Sequence, residues 1–323
     1  MKKKNVPYTH PSVASNEYST KYKVCSPLPT VAQLELTDHG GMSYVVQLTD
    51  GSFIVIDGGH SDKENFNSYA FNSGILRDYL FANKAGDKPV ISCWMITHFH
   101  LDHVDTASQF LIDYKDKITV KKFAYNHPGK EEHLRDIERE EYWQEAMECY
   151  PHAERHLMVT GETLSFPGCK VDVYLTESDK YPEYSRDQNC ISAAWKMTFD
   201  NGRSFTVLGD CPVSRLFPLY TEGNKLYKTP ETLSSDVLQV PHHGLPIGSI
   251  DEMNKNVRFY EMVSPKICLF SQYSKRFYTD ERYKEEKGPD NYRLIKLVGE
   301  ENCYHHTQTT VICMSDLSVK IIK

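Results

Sequence analysis

"MITHFHLDHVD", residues 95–105, places three histidines and two aspartates within the eight residues from His98 to Asp105. It closes the apolar run "PVISCWMIT" (89–97), which has the length and continuity of a buried strand. Residues two apart on an extended segment share a face, so His98 and His100 point the same way. Asp102 and His103 follow as the chain turns into a helix, whose apolar stripe is Val104, Ala107 and Leu111. The spacing lets His98 and His100 serve one ion and Asp102 and His103 a second. Imidazole and carboxylate ligands suit zinc best, with manganese or iron also compatible.

Four neighbouring residues cannot complete two metal shells, so partners must come from elsewhere. Three other apolar runs end in ligand-type side chains: "FTVLGD" at Asp210, "DVLQVPHHG" at His242 and His243, and "FIVIDGG" at Asp57. A carboxylate at 210 can bridge two cations, and one at 57 can orient a ligand histidine without touching the metal. All four segments sit at strand C-termini, which points to a single site.

The 323-residue length allows one large α/β domain or two small ones, with room for a substantial core. A net charge of −7 gives no global attraction to nucleic acid or anionic membrane, so any polyanion site has to be local. No apolar run approaches the roughly 18 residues of a membrane span. The nine cysteines stand singly with no CxxC pair, which speaks against a disulfide framework or zinc ribbon and fits reduced thiols in a cytoplasmic protein. Residues 1–30 are polar, with prolines at 7, 11, 27 and 29, and read as an N-terminal arm. Residues 31–323 read as one domain.

Strands and helices alternate through that domain. "AQLELTD", "SYVVQLTD" and "SFIVIDGG" read as consecutive strands, and "GILRDYLFANKAG" as a helix stopped at Gly86. "ITVKKFAYN" reads as one strand. Residues 130–156 read as a charged helix with Trp143, Met147 and Tyr150 inward. Further strands are expected at "KVDVYLT", "SAAWKMTF", "SFTVLGD", "DVLQVPHHG", "KICLFSQ", "TVICMS" and "SVKII", with helices near 212–220, 250–262 and 290–299. Many strands with helices spread among them predict two sheets with helices outside.

Asp57, the block His98–His103, Asp210 and His243 together resemble the motifs of the metallo-β-lactamase-fold hydrolases. Over about residues 32–323, "DHGGMSYVVQL", "NCISAAWKMTF", "LGD", "VPHHG" and "YHHTQTTVICMS" resemble the branch that includes the hydrolase domain of the competence DNA-uptake channel (ComEC-type). The resemblance implies an α/β fold, a four-layer αββα sandwich of the metallo-β-lactamase type. It implies one or two divalent ions held by His98, His100, Asp102, His103, Asp210 and His243, with Asp57 orienting. It favours His243 over His242 as ligand, because the family's final histidine precedes a glycine. The chain departs from the family where a third histidine is usual, just before Ser192. There it offers "RDQNCIS", whose nearest candidate is Asn189, a poor zinc ligand. His60 or His127 could substitute, and Asn189 and Ser192 are expected to face substrate.

The activity implied is attack by water activated between metals, with Asp102 and Asp57 in the catalytic set and His242 as proton donor to the leaving group. Phosphodiester-type substrates come first by resemblance. A lactone, lactam or thioester is the alternative, and a scaffold or binding role for a degenerate member is another. "QYSKRFYTDERYK" (272–284) interleaves Lys275, Arg276, Arg282 and Lys284 with aromatics, as single-stranded nucleic-acid grooves do, although acids are mixed in and net charge does not favour it. The acidic segment 130–150 favours a small or neutral substrate if it lies over the site.

Overall fold

The apolar run before the histidine cluster forms a strand, Val90–Ile96, whose side chains are buried on both faces. Trp94 and Ile96 enter one apolar cluster, and Cys93 and Met95 another. A strand covered on both faces has no solvent-facing position, which is why the run shows no polar alternation. The structure is a computed structural model, and it describes residues 18–37, 41–60, 66–126, 137–176, 188–211, 213–244, 250–271 and 290–323.

The first sheet is built from β1 (Thr30–Gln33), β2 (Ser43–Gln47), β3 (Phe53–Asp57), β4 (Val90–Ile96), β5 (Thr119–Val120), β6 (Lys122–Tyr125) and β7 (Glu154–Leu157). The second contains β8 (Thr163–Phe166), β9 (Cys169–Leu175), β10 (Ala194–Phe199), β11 (Ser204–Val207), β12 (Val237–Gln239), β13 (Ile267–Phe270) and β14 (Cys303–His305). The chain then returns to the first sheet with β15 (Thr309–Cys313) and β16 (Val319–Ile322). The first sheet runs β16-β15-β1-β2-β3-β4-β6-β7, with β5 beside β4; the second runs β14-β13-β12-β11-β10-β9-β8. Both sheets begin as antiparallel meanders and become parallel, from β3 to β7 in one and from β11 to β14 in the other. Parallel neighbours put their C-terminal ends on one edge, and the loops leaving that edge carry the ligand-type residues.

Between the sheets lie Tyr44, Val46, Ile54, Ile56, Trp195, Met197, Phe205, Val207, Val237 and Leu269. Three helices cover the outer face of the first sheet: α1 (Phe66–Asn83), α2 (Leu101–Asp113) and α3 (Ile137–Glu148). They contribute Leu76, Leu80, Val104, Phe110, Trp143 and Met147. On the second sheet, α4 (Val213–Tyr220), α6 (Ile250–Val263) and α7 (Asp290–Val298) contribute Leu216, Phe259 and Leu294, with a single turn α5 (Pro230–Leu233) between them. The result is helix, sheet, sheet, helix, the four-layer αββα order expected.

Some boundaries differ from the sequence reading. The segment 130–156 is helical only over α3 within the described residues. Pro151 lacks the N–H a continuing helix needs, and Glu154–Leu157 instead pairs with β6, Lys122 opposite Glu154. Trp143, Met147 and Tyr150 are buried as expected. The run "ITVKKFAYN" divides at Lys121 into β5 and β6. β8 and β14 lie in segments not read as strands. Residues 1–17 of the expected arm lie outside the described residues; beyond them Tyr22 is buried, and the Asn83 side chain accepts from Val24 N at 2.8 Å and donates to Tyr22 O at 2.8 Å. Tyr22 and Val24 thus pack against the helix that carries Asn83. No described helix is long and apolar enough to cross a membrane.

Candidate metal centre

Ligand atoms of Asp102, His103, Asp210 and His243 all lie within 4.8 Å of one another, and those of His98, His100 and Asp210 form a second group by the same measure. Asp210 belongs to both. Among the described residues no other His, Cys, Asp or Glu cluster gathers so closely. The first sheet supplies His98 to His103 from the β4–α2 turn. The second sheet supplies Asp210, three residues past β11, and His243, four past β12.

The donors of the first group converge on Asp210 Oδ2, which lies 3.1 Å from His243 Nε2 and 3.4 Å from His103 Nε2. Asp102 Oδ2 is 3.0 Å from His243 Nε2 and 3.8 Å from His103 Nε2. In the second group, His98 Nε2 stands 3.9 Å from Asp210 Oδ2 and 3.0 Å from His100 Nδ1. His103 Nε2 and Asp210 Oδ1 are buried and make no conventional hydrogen bond, although His103 Nε2 faces Asp210 Oδ2 at 3.4 Å. Buried polar atoms are almost always satisfied, so two orphans in a mixed imidazole–carboxylate set fit divalent cations.

Behind the donors the side chains are held by polar contacts. Asp57, fully buried, accepts from Thr97 N and Thr97 Oγ1, each at 2.8 Å, and its Oδ2 lies 2.7 Å from His103 Nδ1. That contact places the His103 proton on Nδ1 and leaves Nε2 free to ligate. His243 Nδ1 donates to Ser271 O at 3.2 Å. Gln239 clamps the two loops of the second sheet: its Oε1 accepts from Leu208 N at 2.7 Å, and its Nε2 donates to Gly209 O and Val240 O. Thr97, Gln239 and Ser271 were not read from the sequence. Thr97 stood in the quoted stretch as a polar residue ending an apolar run, which is the one signal that could have marked it.

Backbone conformation concentrates strain here. Asp57, His242 and His243 have positive φ (54°, 50° and 58°), a cost non-glycine residues bear where surroundings fix them. Gly209, at φ 56°, would put a Cβ 2.9 Å from Thr97 Cβ, so only glycine lets the Asp210 turn close on the first sheet. Gly41, at φ 102°, packs so tightly on the helix start that an added Cβ would lie 2.2 Å from Asp102 O. Gly41→Ala is expected to lower stability by about 2–3 kcal/mol and to displace Asp102, as urea denaturation and metal titration would show.

The expected substrate residues divide. Ser192 is fully buried and its hydroxyl accepts from Asp210 N at 3.1 Å, so it supports the Asp210 turn from beneath. Asn189 is half-buried, with its Nδ2 3.4 Å from His242 Nε2. Burial holds the His242 pKa below its usual value, so at neutral pH the ring is uncharged. In that form the ring offers one N–H and one lone pair beside the cluster. His60 joins neither donor group. His127 and the stretch 272–284 lie outside the described residues. The acidic helix α3 forms part of the outer layer, tied to α2 by Arg139 Nε and Asp105 Oδ1 at 2.9 Å.

Without metal, the donors pair with one another. Burial pulls the His243 imidazolium down, but Asp210 and Asp102 outweigh it and push its pKa up to about 10. His103 is likewise raised well above its usual value against burial, by Asp210, Asp102 and Asp57. Burial would raise Asp210, yet His243 and His103 hold it far below the carboxylate range. Burial and the neighbouring His103 hold His98 low. The raised histidines stabilise the metal-free fold fully below their unfolded pKa of about 6.5, and this is lost as pH rises through the folded value, about 10 for His243. A divalent ion must displace these protons, so affinity is expected to rise with pH across that window. Calorimetry at pH 7 in buffers of different ionisation enthalpy should show release of about two protons for the first ion bound.

No protein-family model matches the chain, and no curated protein matches it. Solved structures do. The metallo-β-lactamase fold protein YhfI from Bacillus subtilis is 12% identical, with a TM-score of 0.46 over 86% of this chain and 96% of that one. A possible metal-dependent hydrolase from Veillonella parvula is 10% identical, TM-score 0.46, over 87% of this chain and 99% of that one. The diiron β-hydroxylase CmlA from Streptomyces venezuelae is 11% identical, TM-score 0.47, over 86% of this chain and 52% of that one, so the chain spans about half the hydroxylase.

Proposed function

We propose that the chain is a metal-dependent hydrolase of phosphodiester-type substrates, with one or two divalent ions, zinc or manganese, at the centre described above. The observation that carries this reading is the shared carboxylate: Asp210 stands in both donor groups. Asp102, His103, Asp210 and His243 would hold one ion, and His98, His100 and Asp210 the other. Bound divalent ions supply Lewis acidity, which activates water at neutral pH and stabilises the charge that develops on the reacting oxygens. The protein's part is to fix tautomers through Asp57 and Ser271, to keep the cluster dry, and to present His242 and Asn189 beside it. Two such ions among the carboxylates of Asp57, Asp102 and Asp210 leave the centre with net positive charge. That charge attracts an anionic phosphodiester and offers less to a neutral lactone. The ComEC-type resemblance of "LGD" and "VPHHG" supports the same substrate class.

The two sites are unequal on this reading, four donors against three, and the resemblance puts Asn189 nearest to the position of the family's further histidine. One ion is expected to bind tightly and the other in a weaker step. The test combines metal titration with hydrolysis of bis-p-nitrophenyl phosphate, a lactone and nitrocefin, in zinc or manganese. Phosphodiester turnover that needs both steps, and that is lost in His98→Ala while the tight ion stays bound, supports the proposal. Lactone or nitrocefin turnover alone would reject the substrate class. Metal binding with no turnover on any of the three would favour the scaffold reading.

A further inference from the structure

Tyr44 lies deep between the sheets, and nothing in its sequence context marks it as polar machinery. Its phenol oxygen is 2.6 Å from Ser271 Oγ, and Gln33 Nε2 donates to it at 3.2 Å while also donating to Phe270 O at 2.9 Å. Tyr44 is fully buried, and Gln33 and Ser271 are almost so. Gln33 and Tyr44 belong to β1 and β2 of the first sheet; Phe270 and Ser271 belong to the end of β13 in the second. The Ser271 carbonyl is the acceptor for His243 Nδ1. A polar chain thus crosses an otherwise apolar interface and ends on a ligand-type histidine.

The geometry points to Tyr44 as a positioning residue: through Ser271 it fixes the His243 ring and the gap between the sheets, and so sets the affinity of the four-donor group for a divalent ion. This rests on reading that group as a metal site. His243 needs such a tether because its backbone sits in the left-handed region at φ 58°, outside helical geometry within the short turn Pro241–Gly244. The Nδ1–H···O bond also selects the tautomer that leaves Nε2 free for the cluster. Asp57 does the same for His103, but from within the first sheet. Asp210 and His243 come from the second sheet, and their separation from Asp102 and His103 is set by how the sheets meet. The Tyr44–Ser271 contact is made at that junction.

Tyr44→Phe keeps the ring against Phe205, 5.8 Å between centroids, and removes only the hydroxyl. Ser271→Ala removes the partner hydroxyl and keeps the backbone carbonyl. The measurement is zinc affinity of the full chain by competition with a chromophoric chelator, together with the visible spectrum of the cobalt-substituted protein. Tight-site affinity is expected to fall about 10–100-fold in each variant, with a shifted ligand-field band, and no further in the double variant. Affinity within about threefold of wild type and an unchanged band in both variants would overturn the proposal, even if both lost thermal stability. Effects that add in the double variant would overturn the shared route. A wild-type protein that binds neither zinc nor cobalt would overturn the metal reading itself, an outcome distinct from either.

Discussion

Asp210→Ala is expected to lose both ions, with affinity at each step reduced more than about 100-fold, beyond the effect of outer-shell changes. The reason is geometric. Its Oδ2 stands 3.1 Å from His243 Nε2, 3.4 Å from His103 Nε2 and 3.9 Å from His98 Nε2, so a single substitution empties both donor groups of their common oxygen. The turn itself should survive, because the Ser192 contact is made to the Asp210 backbone N–H. His103 and His243 lose the carboxylate that most raises their pKa, and burial then favours their neutral forms. Breaking a buried ion pair typically costs about 3–5 kcal/mol, and here deprotonation of the imidazoles relieves part of that. The stability loss of metal-free Asp210→Ala should therefore be larger at pH 5, where the rings are held protonated, than at pH 9. Elemental analysis, equilibrium dialysis and denaturation at both pH values check it. Retention of one tight ion would mean that the four-donor group does not depend on Asp210.

Asp57→Asn should act through a proton. The amide keeps the size of the carboxylate, and asparagine tolerates φ 54°. Its oxygen can still accept from Thr97 N, but the NH2 group now faces Thr97 Oγ1 and His103 Nδ1. Nδ1 must become an acceptor, which moves the ring proton to Nε2, the nitrogen that faces Asp210 and Asp102. Tight-site affinity is expected to fall about 10–100-fold with the fold retained, and turnover should fall with it. Asp57→Ala should differ by also losing stability, since Thr97 N and Oγ1 lose buried acceptors, at about 1–3 kcal/mol each. Chelator competition on Asp57→Asn, beside circular dichroism, separates the two. Wild-type affinity in Asp57→Asn would show that the tautomer of His103 is set elsewhere.

The local part of the site was legible because neighbours in sequence are neighbours in space. His98, His100, Asp102 and His103 needed only a strand end and a helix start to converge, and "PVISCWMIT" announced both. Asp57, Asp210 and His243 were legible as polar endings of apolar runs, a pattern that parallel strands impose by turning at one edge. The support that Ser192 gives the Asp210 turn was not legible, because a serine before a strand looks the same whether it faces solvent or lies under a turn. The helix at 130–156 was read too long because its charge pattern continues past Pro151, whereas the pairing of Glu154–Leu157 with β6 is a long-range event.

By itself the sequence determined the alternation of buried strands and amphipathic helices, and the ligand block that follows β4. These depend on spacings of two to four residues, which the backbone geometry of strand and helix converts directly into shared faces. Only the tertiary structure decided that Asp210 stands in both donor groups, that Gln239 clamps their loops, and that Tyr44 reaches Ser271 across the core. Apart from Gln239 and the adjoining Val240, those contacts join residues 30 to 227 positions apart, Gln239 to Gly209 the nearest and Tyr44 to Ser271 the farthest. Such pairings follow from strand order and from the stacking of one sheet on the other, and no local periodicity encodes either.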